Sequence, residues 1–108
     1  REIFSKINDV EILTEPNSDF YSNHWLSAIL LQSYEQREAL RLAFEIENIE
    51  TRPLWKPMHL QPVFQNAPFY GGKISENLFK KGLCLPSGSN LTDSDRARIS
   101  NVIDNFFK

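Results

Sequence analysis

Four of the six prolines in this 108-residue chain fall within residues 52–71, and this segment restricts the fold more than any other. Proline lacks the backbone N–H that a helix or a sheet ladder needs, so at most short strands can form there. The segment is nevertheless rich in large apolar residues: Leu54, Trp55, Met58, Leu60, Val63, Phe64, Phe69 and Tyr70. We call residues 52–71 the proline–aromatic segment and predict that it docks on another surface.

Three short strands are predicted outside this segment. Residues 10–13 and 83–85 are short apolar runs that turn residues follow. Both alternating faces of residues 25–31 are largely apolar, so we expect both to be buried. Two explanations stay open for this strand. Either helices of this chain cover both faces, or one face contacts a part of the protein outside this sequence.

Helical periodicity and capping residues predict three helices. The first begins after Ser33, which forms a capping box with Gln36, and ends near Asn48, which tolerates the left-handed conformation. Its predicted apolar stripe contains Ala39, Leu40, Leu42, Ala43, Phe44 and Ile46. A short helix over residues 75–81 is expected to stop at Gly82.

Thr92 is predicted to cap the last helix, and a regular apolar stripe follows it at Ile99, Val102, Ile103 and Phe106. The elements therefore alternate between strands and helices along the chain. They predict an α+β fold, a small and mainly antiparallel sheet packed with helices, in a single domain over residues 1–108.

Charge and composition argue against several classes of protein. The net charge is −2 and no basic run exceeds Lys80-Lys81, so nucleic acid is not an expected partner. No apolar run approaches the length of a membrane span, so no membrane partner is expected. Cys84 is the only cysteine, and its apolar neighbours predict a core position. A lone cysteine without a secretory signal fits a cytoplasmic location, and no metal-ligand spacing is present.

The candidate binding residues are Arg52, His59 and Gln61, polar side chains carried by a rigid and apolar segment. Arg52 can make a forked contact to a carboxylate or phosphate, with a surface ion pair as the alternative. A structural role for His59 also stays open. We expect His24 to be structural and residues 87–90 to form a turn, with contact to an anion as the alternative for that turn.

Three segments have a distinctive sequence: residues 51–62 (TRPLWKPMHLQP), residues 82–92 (GLCLPSGSNLT) with the amphipathic helix that follows, and residues 22–26 (SNHWL). Together they resemble the DegT/DnrJ/StrS aminotransferases. The resemblance implies the small C-terminal domain of a homodimeric, fold-type I PLP-dependent enzyme. Such enzymes transfer an amino group, commonly from glutamate, to a keto carbon of a nucleotide-linked sugar. Their products serve bacterial surface glycans and glycoproteins, and residues 59–61 match members linked to pilin glycosylation.

The resemblance also implies what this chain lacks. The family's Schiff-base lysine and most of its cofactor contacts lie in a large domain upstream, so no catalytic, cofactor-binding or metal-binding residue is assigned here. Lys56 does not match the family's lysine. PLP, the large domain and a second subunit are therefore expected only in the full-length enzyme, where Arg52, His59 and Gln61 contact the nucleotide sugar. A start at Arg1 rather than Met fits a fragment, and a stand-alone, non-catalytic α+β binding or regulatory module is the alternative.

Overall fold

A computed structural model describes residues 2–108, and Arg1 lies outside the described residues. The strands are β1 (Glu11–Ile12), β2 (Ser27–Leu30), β3 (Arg52–Pro53) and β4 (Gly82–Leu85). The helices are α1 (Tyr34–Ile46), α2 (Ile74–Lys81) and α3 (Asp93–Phe106). The strands form one sheet in the order β1-β2-β4-β3, and every neighbouring pair is antiparallel. The predicted α+β fold, with helices packed on an antiparallel sheet, is confirmed.

The start of α1 forms half of the predicted capping box. The Ser33 hydroxyl accepts a hydrogen bond from the Gln36 N–H at 3.1 Å, as a cap requires. The Gln36 side chain, however, accepts from the N–H of Gln32 at 2.9 Å, and not from that of Ser33. The second bond therefore satisfies a donor one residue before the cap, and the entering chain is still tied to the first turn.

The end of α1 confirms the prediction for Asn48, which has a φ of 55°. The Asn48 N–H donates to the Glu45 carbonyl at 3.0 Å, and the Ile49 N–H donates to the Phe44 carbonyl at 2.9 Å. These two bonds form a Schellman motif, which satisfies carbonyls that the helix leaves free. Ile49 packs against the core cluster that contains Phe44.

The buried face of α1 differs from the predicted stripe. Leu40 and Phe44 are fully buried, but the predicted widening of the stripe is wrong, since three of its members are exposed: Ala39, Leu42 and Ile46. Arg37 is buried in their place, with only 4% of its surface exposed. Its guanidinium lies 6.0 Å from the Phe79 ring of α2, because α2 packs beside α1 and covers this side of the helix.

The two faces of the sheet are covered to different extents. Ile29 of β2 pairs with Leu83 of β4, and both are buried in a core shared with α1 and α3. On the other face, Ala28 pairs with Cys84, and both are only half-buried. Of the two explanations for residues 25–31, the one in which helices of this chain cover both faces is therefore wrong, and so is the prediction that Cys84 lies in the core. The helices of this chain close one face and leave the other partly open.

Gly82 follows α2 as predicted, but its φ of −86° is extended rather than left-handed. A glycine is required there by space. An added Cβ would overlap the Leu54 side chain and would lie 2.5 Å from the carbonyl oxygen of Leu78. The absence of a side chain thus lets the proline–aromatic segment pass close to the junction between α2 and β4.

The last helix begins as predicted at Thr92, whose hydroxyl accepts from the Asp95 N–H at 3.2 Å. The Asp95 carboxylate accepts in return from the Thr92 N–H at 2.9 Å, which completes a capping box that the sequence reading did not identify. The predicted stripe packs on the core through Ile99, Val102 and Ile103, with Phe106 half-buried beside them. Within residues 2–108, no helix combines the length and the hydropathy needed to cross a membrane.

Candidate functional site

The proline–aromatic segment contains little regular structure, as its prolines predict. It begins with the two residues of β3, which pair with β4, and then forms two single 3-10 turns, Met58–Leu60 and Pro62–Phe64. Leu54 packs against the position of Gly82, but most large apolar side chains of the segment are exposed: Trp55, Met58, Leu60, Val63, Phe64, Phe69 and Tyr70. The segment therefore docks on this chain only in part and presents an apolar surface outward.

His59 is the most constrained of the three predicted site residues. Its Nε2 lies 2.8 Å from Oε1 of Glu76, in the first turn of α2. Its ring stacks on Phe69, with 3.8 Å between the ring centroids and 22° between the planes. Only 16% of the His59 side chain and 23% of the Glu76 side chain are exposed. His59 thus joins the proline–aromatic segment to α2, and it lines an apolar pocket of about 240 Å³.

The electrostatics of this pair favour an ionised carboxylate. The hydrogen bond from His59 is the largest effect and lowers the pKa of Glu76. Burial raises this pKa, and attraction to a protonated His59, Lys80 and Lys73 lowers it again, so that the net shift is downward. At neutral pH the Glu76 carboxylate can therefore accept hydrogen bonds but cannot donate one. Sequence reasoning missed Glu76 and Phe69, because neither residue carries a local signal of contact with a histidine elsewhere in the chain.

Arg52 lies at the rim of a second groove. Its side chain is 78% exposed and forms an ion pair with Glu50, with Nε donating to Oε1 at 2.8 Å. The surface ion pair that the sequence left open is therefore present. The groove has a volume of about 470 Å³, and its lining is mostly apolar: Trp25, Leu26, Pro53, Leu54, Trp55, Phe79 and Cys84 beside Arg52.

Two tryptophans face each other at this groove. The rings of Trp25 and Trp55 are 6.3 Å apart with an angle of 39° between them, and 71% and 67% of the two residues are exposed. Burial raises the pKa of the neighbouring Cys84 thiol, which keeps it neutral. Such a groove can hold a flat or apolar group between aromatic rings, with a cationic guanidinium at its edge.

The Gln61 side chain braces the first turn of the segment. Its Nε2 donates to the Lys56 carbonyl at 3.3 Å and contacts Sδ of Met58 at 3.7 Å. The structure thus does not bring the three predicted site residues into one pocket. Arg52 lines the groove with the two tryptophans, His59 lines the smaller pocket with Phe69, and Gln61 braces the backbone that carries His59.

His24 and the turn at residues 87–90 were expected to be structural. His24 is exposed and has a φ of 53°, a backbone conformation that few non-glycine residues adopt. Its N–H donates to the Ser22 hydroxyl at 3.0 Å, and its ring meets Tyr21 edge-on at 6.5 Å. In the turn, the Ser87 hydroxyl accepts from the Ser27 N–H at 2.7 Å and donates to the Leu85 carbonyl, which supports a structural role.

Potential metal ligands and lysines are dispersed over the described residues. No group of three potential ligands comes together within residues 2–108. A PLP site needs a lysine held in a pocket, together with groups that bind the ring nitrogen and the phosphate. All the lysines of this chain are exposed instead: Lys6, Lys56, Lys73, Lys80, Lys81 and Lys108.

Comparison with known proteins relates this chain to aminotransferases. The profile of the DegT/DnrJ/EryC1/StrS aminotransferase family matches residues 1–104. The chain is 43% identical over 90 residues to EpsN of Bacillus subtilis strain 168, described as a pyridoxal phosphate-dependent aminotransferase, over 80% of this chain and 23% of EpsN. It is 30% identical over 107 residues to the GDP-perosamine synthase of Escherichia coli O157:H7, over 98% of this chain and 29% of that enzyme.

The fold matches solved structures as well. The aminotransferase TlmJ from Streptoalloteichus hindustanus superposes with a TM-score of 0.82 over 97% of this chain and 28% of TlmJ. At 17% identity this likeness shows a shared fold alone. The chain spans between 23% and 29% of the length of these curated relatives.

Proposed function

The chain belongs to the DegT/DnrJ/EryC1/StrS aminotransferase family, and we propose that it is the C-terminal small domain of a PLP-dependent sugar aminotransferase. The whole enzyme would transfer an amino group, from glutamate, to a keto group of a nucleotide-linked sugar for surface-glycan or glycoprotein biosynthesis. It would act in the bacterial cytoplasm as a homodimer. The 43% identity to EpsN over 90 residues is the observation that carries this proposal.

The cofactor would be held outside this chain. PLP supplies an electron sink for amino transfer when a protein binds it. The exposure of every lysine here supports a division of labour, in which another part of the enzyme binds PLP and this domain closes over the substrate. No step of the reaction is therefore assigned to a residue of this chain as the catalyst.

Within this division, Arg52, His59 and Gln61 are the proposed contacts to the nucleotide sugar. His59 is braced on two sides and its side chain is mostly buried, which suits a residue that must keep a fixed position against a ligand. Arg52 carries a fixed charge beside two exposed tryptophans, and it could exchange Glu50 for a phosphate of the sugar nucleotide. Gln61 would act through the backbone that it supports.

The test uses the complete enzyme with His59→Ala and Arg52→Ala. We expect kcat/KM for the nucleotide sugar to fall about tenfold or more in each variant, the equivalent of one lost hydrogen bond to a charged or polar group. Arg96→Ala is the matched control for Arg52, because Arg96 is also an exposed arginine in a surface ion pair, with Asp93. Unchanged kinetics for sugar and amino donor in both site variants would remove the assignment.

The reading frame of the gene tests the division of labour. We expect it to continue upstream of Arg1 through a large domain that contains a lysine after a strand. A start codon directly before Arg1 would instead favour a stand-alone binding or regulatory module, which would bind a ligand without amino transfer.

A further inference from the structure

Glu76 and Phe69 together restrain the imidazole of His59. Phe69 stacks on the ring at 3.8 Å and limits its tilt, while Glu76 lies 2.8 Å from Nε2 and fixes its rotation. Both members of the His59–Glu76 pair are more than three-quarters buried, so water competes only weakly for the bond. The ring therefore has one orientation, and its two nitrogens have different surroundings.

The carboxylate determines which nitrogen carries the proton. An ionised carboxylate can only accept a hydrogen bond, so His59 in its neutral form donates to it through Nε2–H. In that tautomer Nδ1 keeps a lone pair and can only accept. Within residues 2–108 the structure shows no hydrogen bond to Nδ1 of His59, so this acceptor has no partner among the described residues.

We propose that Glu76 is a positioning residue that holds His59 in the Nε2–H form, so that Nδ1 accepts a hydrogen bond from a hydroxyl group of the nucleotide-linked sugar. The inference rests on the proposed contact between His59 and the substrate. A neutral acceptor nitrogen selects O–H and N–H donors and does not bind phosphate or carboxylate oxygens, which are themselves acceptors. The pair would thus recognise the sugar moiety, while recognition of the phosphates falls to cationic groups.

Two substitutions of His59 in the complete enzyme separate the two nitrogens. In His59→Asn, the amide lies near the former position of Nδ1, and its oxygen can still accept from the sugar. In His59→Gln, the amide reaches the former position of Nε2 and keeps the contact with Glu76, but no acceptor remains at Nδ1. We expect kcat/KM for the nucleotide sugar to fall about tenfold in His59→Gln and clearly less in His59→Asn. The reverse order would overturn the proposal.

Glu76→Gln tests the positioning role itself. The glutamine can turn its NH₂ toward Nε2, which allows the Nδ1–H tautomer and removes the acceptor from part of the population. We expect kcat/KM for the nucleotide sugar to fall by about twofold or more, but by less than in His59→Gln, with an unchanged half-reaction with the amino donor. In a double-mutant cycle the Glu76→Gln effect should disappear in the His59→Gln background, where no tautomer remains to be set. Glu47→Gln, an exposed acid at the end of α1, is the matched control.

The outcomes distinguish this inference from the proposed function. If Glu76→Gln lowers only thermal stability and leaves the kinetics unchanged while His59→Ala is impaired, Glu76 merely pins the segment to α2 and the inference fails alone. If His59→Ala itself leaves the sugar kinetics unchanged, the proposed substrate contact of His59 fails, and the inference fails with it. Equal losses for Glu76→Gln in the wild-type and His59→Gln backgrounds would also overturn the inference.

Discussion

At the scale of single residues, Gly82 lies where α2, β4 and the proline–aromatic segment meet. We expect Gly82→Ala to lower the free energy of unfolding by about 1–3 kcal/mol, because its Cβ would overlap Leu54 and crowd the Leu78 carbonyl. Gly72→Ala is the matched control, since none of the described residues has an atom within 4 Å of the Cβ that it adds. Urea unfolding of both variants measures the difference. Equal stability of the two would contradict the close approach at Gly82.

Arg37 is a residue whose substitution can stabilise the fold, because its guanidinium is buried with too few hydrogen-bond acceptors. Its Nε and Nη1 are buried and have no hydrogen-bond partner among residues 2–108, and its Nη2 lies 3.6 Å from the Glu38 carboxylate. A buried donor without a partner costs about 1–3 kcal/mol, while the aliphatic stem and the stacking on Tyr34 contribute packing. Methionine keeps the stem and removes the donors.

We therefore expect Arg37→Met to raise the free energy of unfolding by about 1 kcal/mol, and Arg37→Ala to lower it because the packing is lost as well. The measurement is chemical denaturation of both variants beside the wild type. Arg41→Met serves as a comparison on the same helix. Arg41 forms ion pairs with Glu38 and Glu45, so this variant should be less stable than the wild type. A less stable Arg37→Met would show that the guanidinium has partners in solution.

At the scale of elements, the capping box of α3 makes stability depend on pH. Hydrogen bonds from the Thr92 hydroxyl and from the Thr92 N–H lower the pKa of Asp95 below its usual 3.8. A carboxyl whose pKa is lower in the folded state stabilises the fold above its unfolded pKa. That stabilisation is lost as the pH falls through the folded pKa.

We expect Asp95→Asn to unfold at a lower temperature than the wild type at pH 7, with a gap that closes as the pH falls below about 4. Asp93→Asn is the control in the same turn, because Asp93 is almost fully exposed and forms a surface ion pair with Arg96. Thermal melts across the acid range measure both gaps. A gap for Asp95→Asn that stays constant with pH would contradict the ionised cap.

The helices were predictable from sequence because their signals are local. Ser33, Asn48 and Thr92 act within one turn of the residues that they cap, and apolar spacing alone identifies the α3 stripe. The buried Arg37 was not predictable, because a charged residue between polar neighbours indicates an exposed face. Its burial depends on α2, which packs there only after the chain has passed through the proline–aromatic segment.

The candidate site was predictable only in part for the same reason. His59 could be singled out because it is a polar residue in an apolar, proline-rich segment. Its partner Glu76, however, lies 17 residues further along the chain. Which side chains meet across such a distance depends on how irregular backbone turns, and periodicity carries no information about that. The separation of Arg52 and His59 into different pockets has the same origin.

At the scale of the whole molecule, the sheet has a closed face and a partly open one. The closed face holds the core, in which Ile29, Leu83 and Ile103 are among the most fully buried residues. The open face borders the groove of Trp25 and Trp55, and the apolar side chains of the proline–aromatic segment extend the exposed surface. The residues that stabilise the fold and those proposed to bind the substrate thus lie on different faces of the sheet. Substitutions at the groove should therefore leave the packing of the core unchanged.

This separation leads to a prediction about the isolated chain and PLP. A lysine that forms a stoichiometric Schiff base is held in a pocket that desolvates its amine and binds the cofactor phosphate. Since all the lysines here are exposed, each should react weakly and to a similar extent. After borohydride reduction, peptide mass spectrometry should find the label spread over Lys6, Lys56, Lys73, Lys80, Lys81 and Lys108.

Lys56→Arg provides the decisive comparison, because Lys56 lies next to Trp55 at the groove and is the lysine nearest to the candidate site residues in the sequence. We expect this variant to lose no more label than Lys108→Arg at the end of the chain. A single dominant adduct at Lys56 that the substitution abolishes would show a cofactor site within this domain. That result would also contradict the division in which PLP is bound elsewhere and this domain supplies only contacts to the sugar.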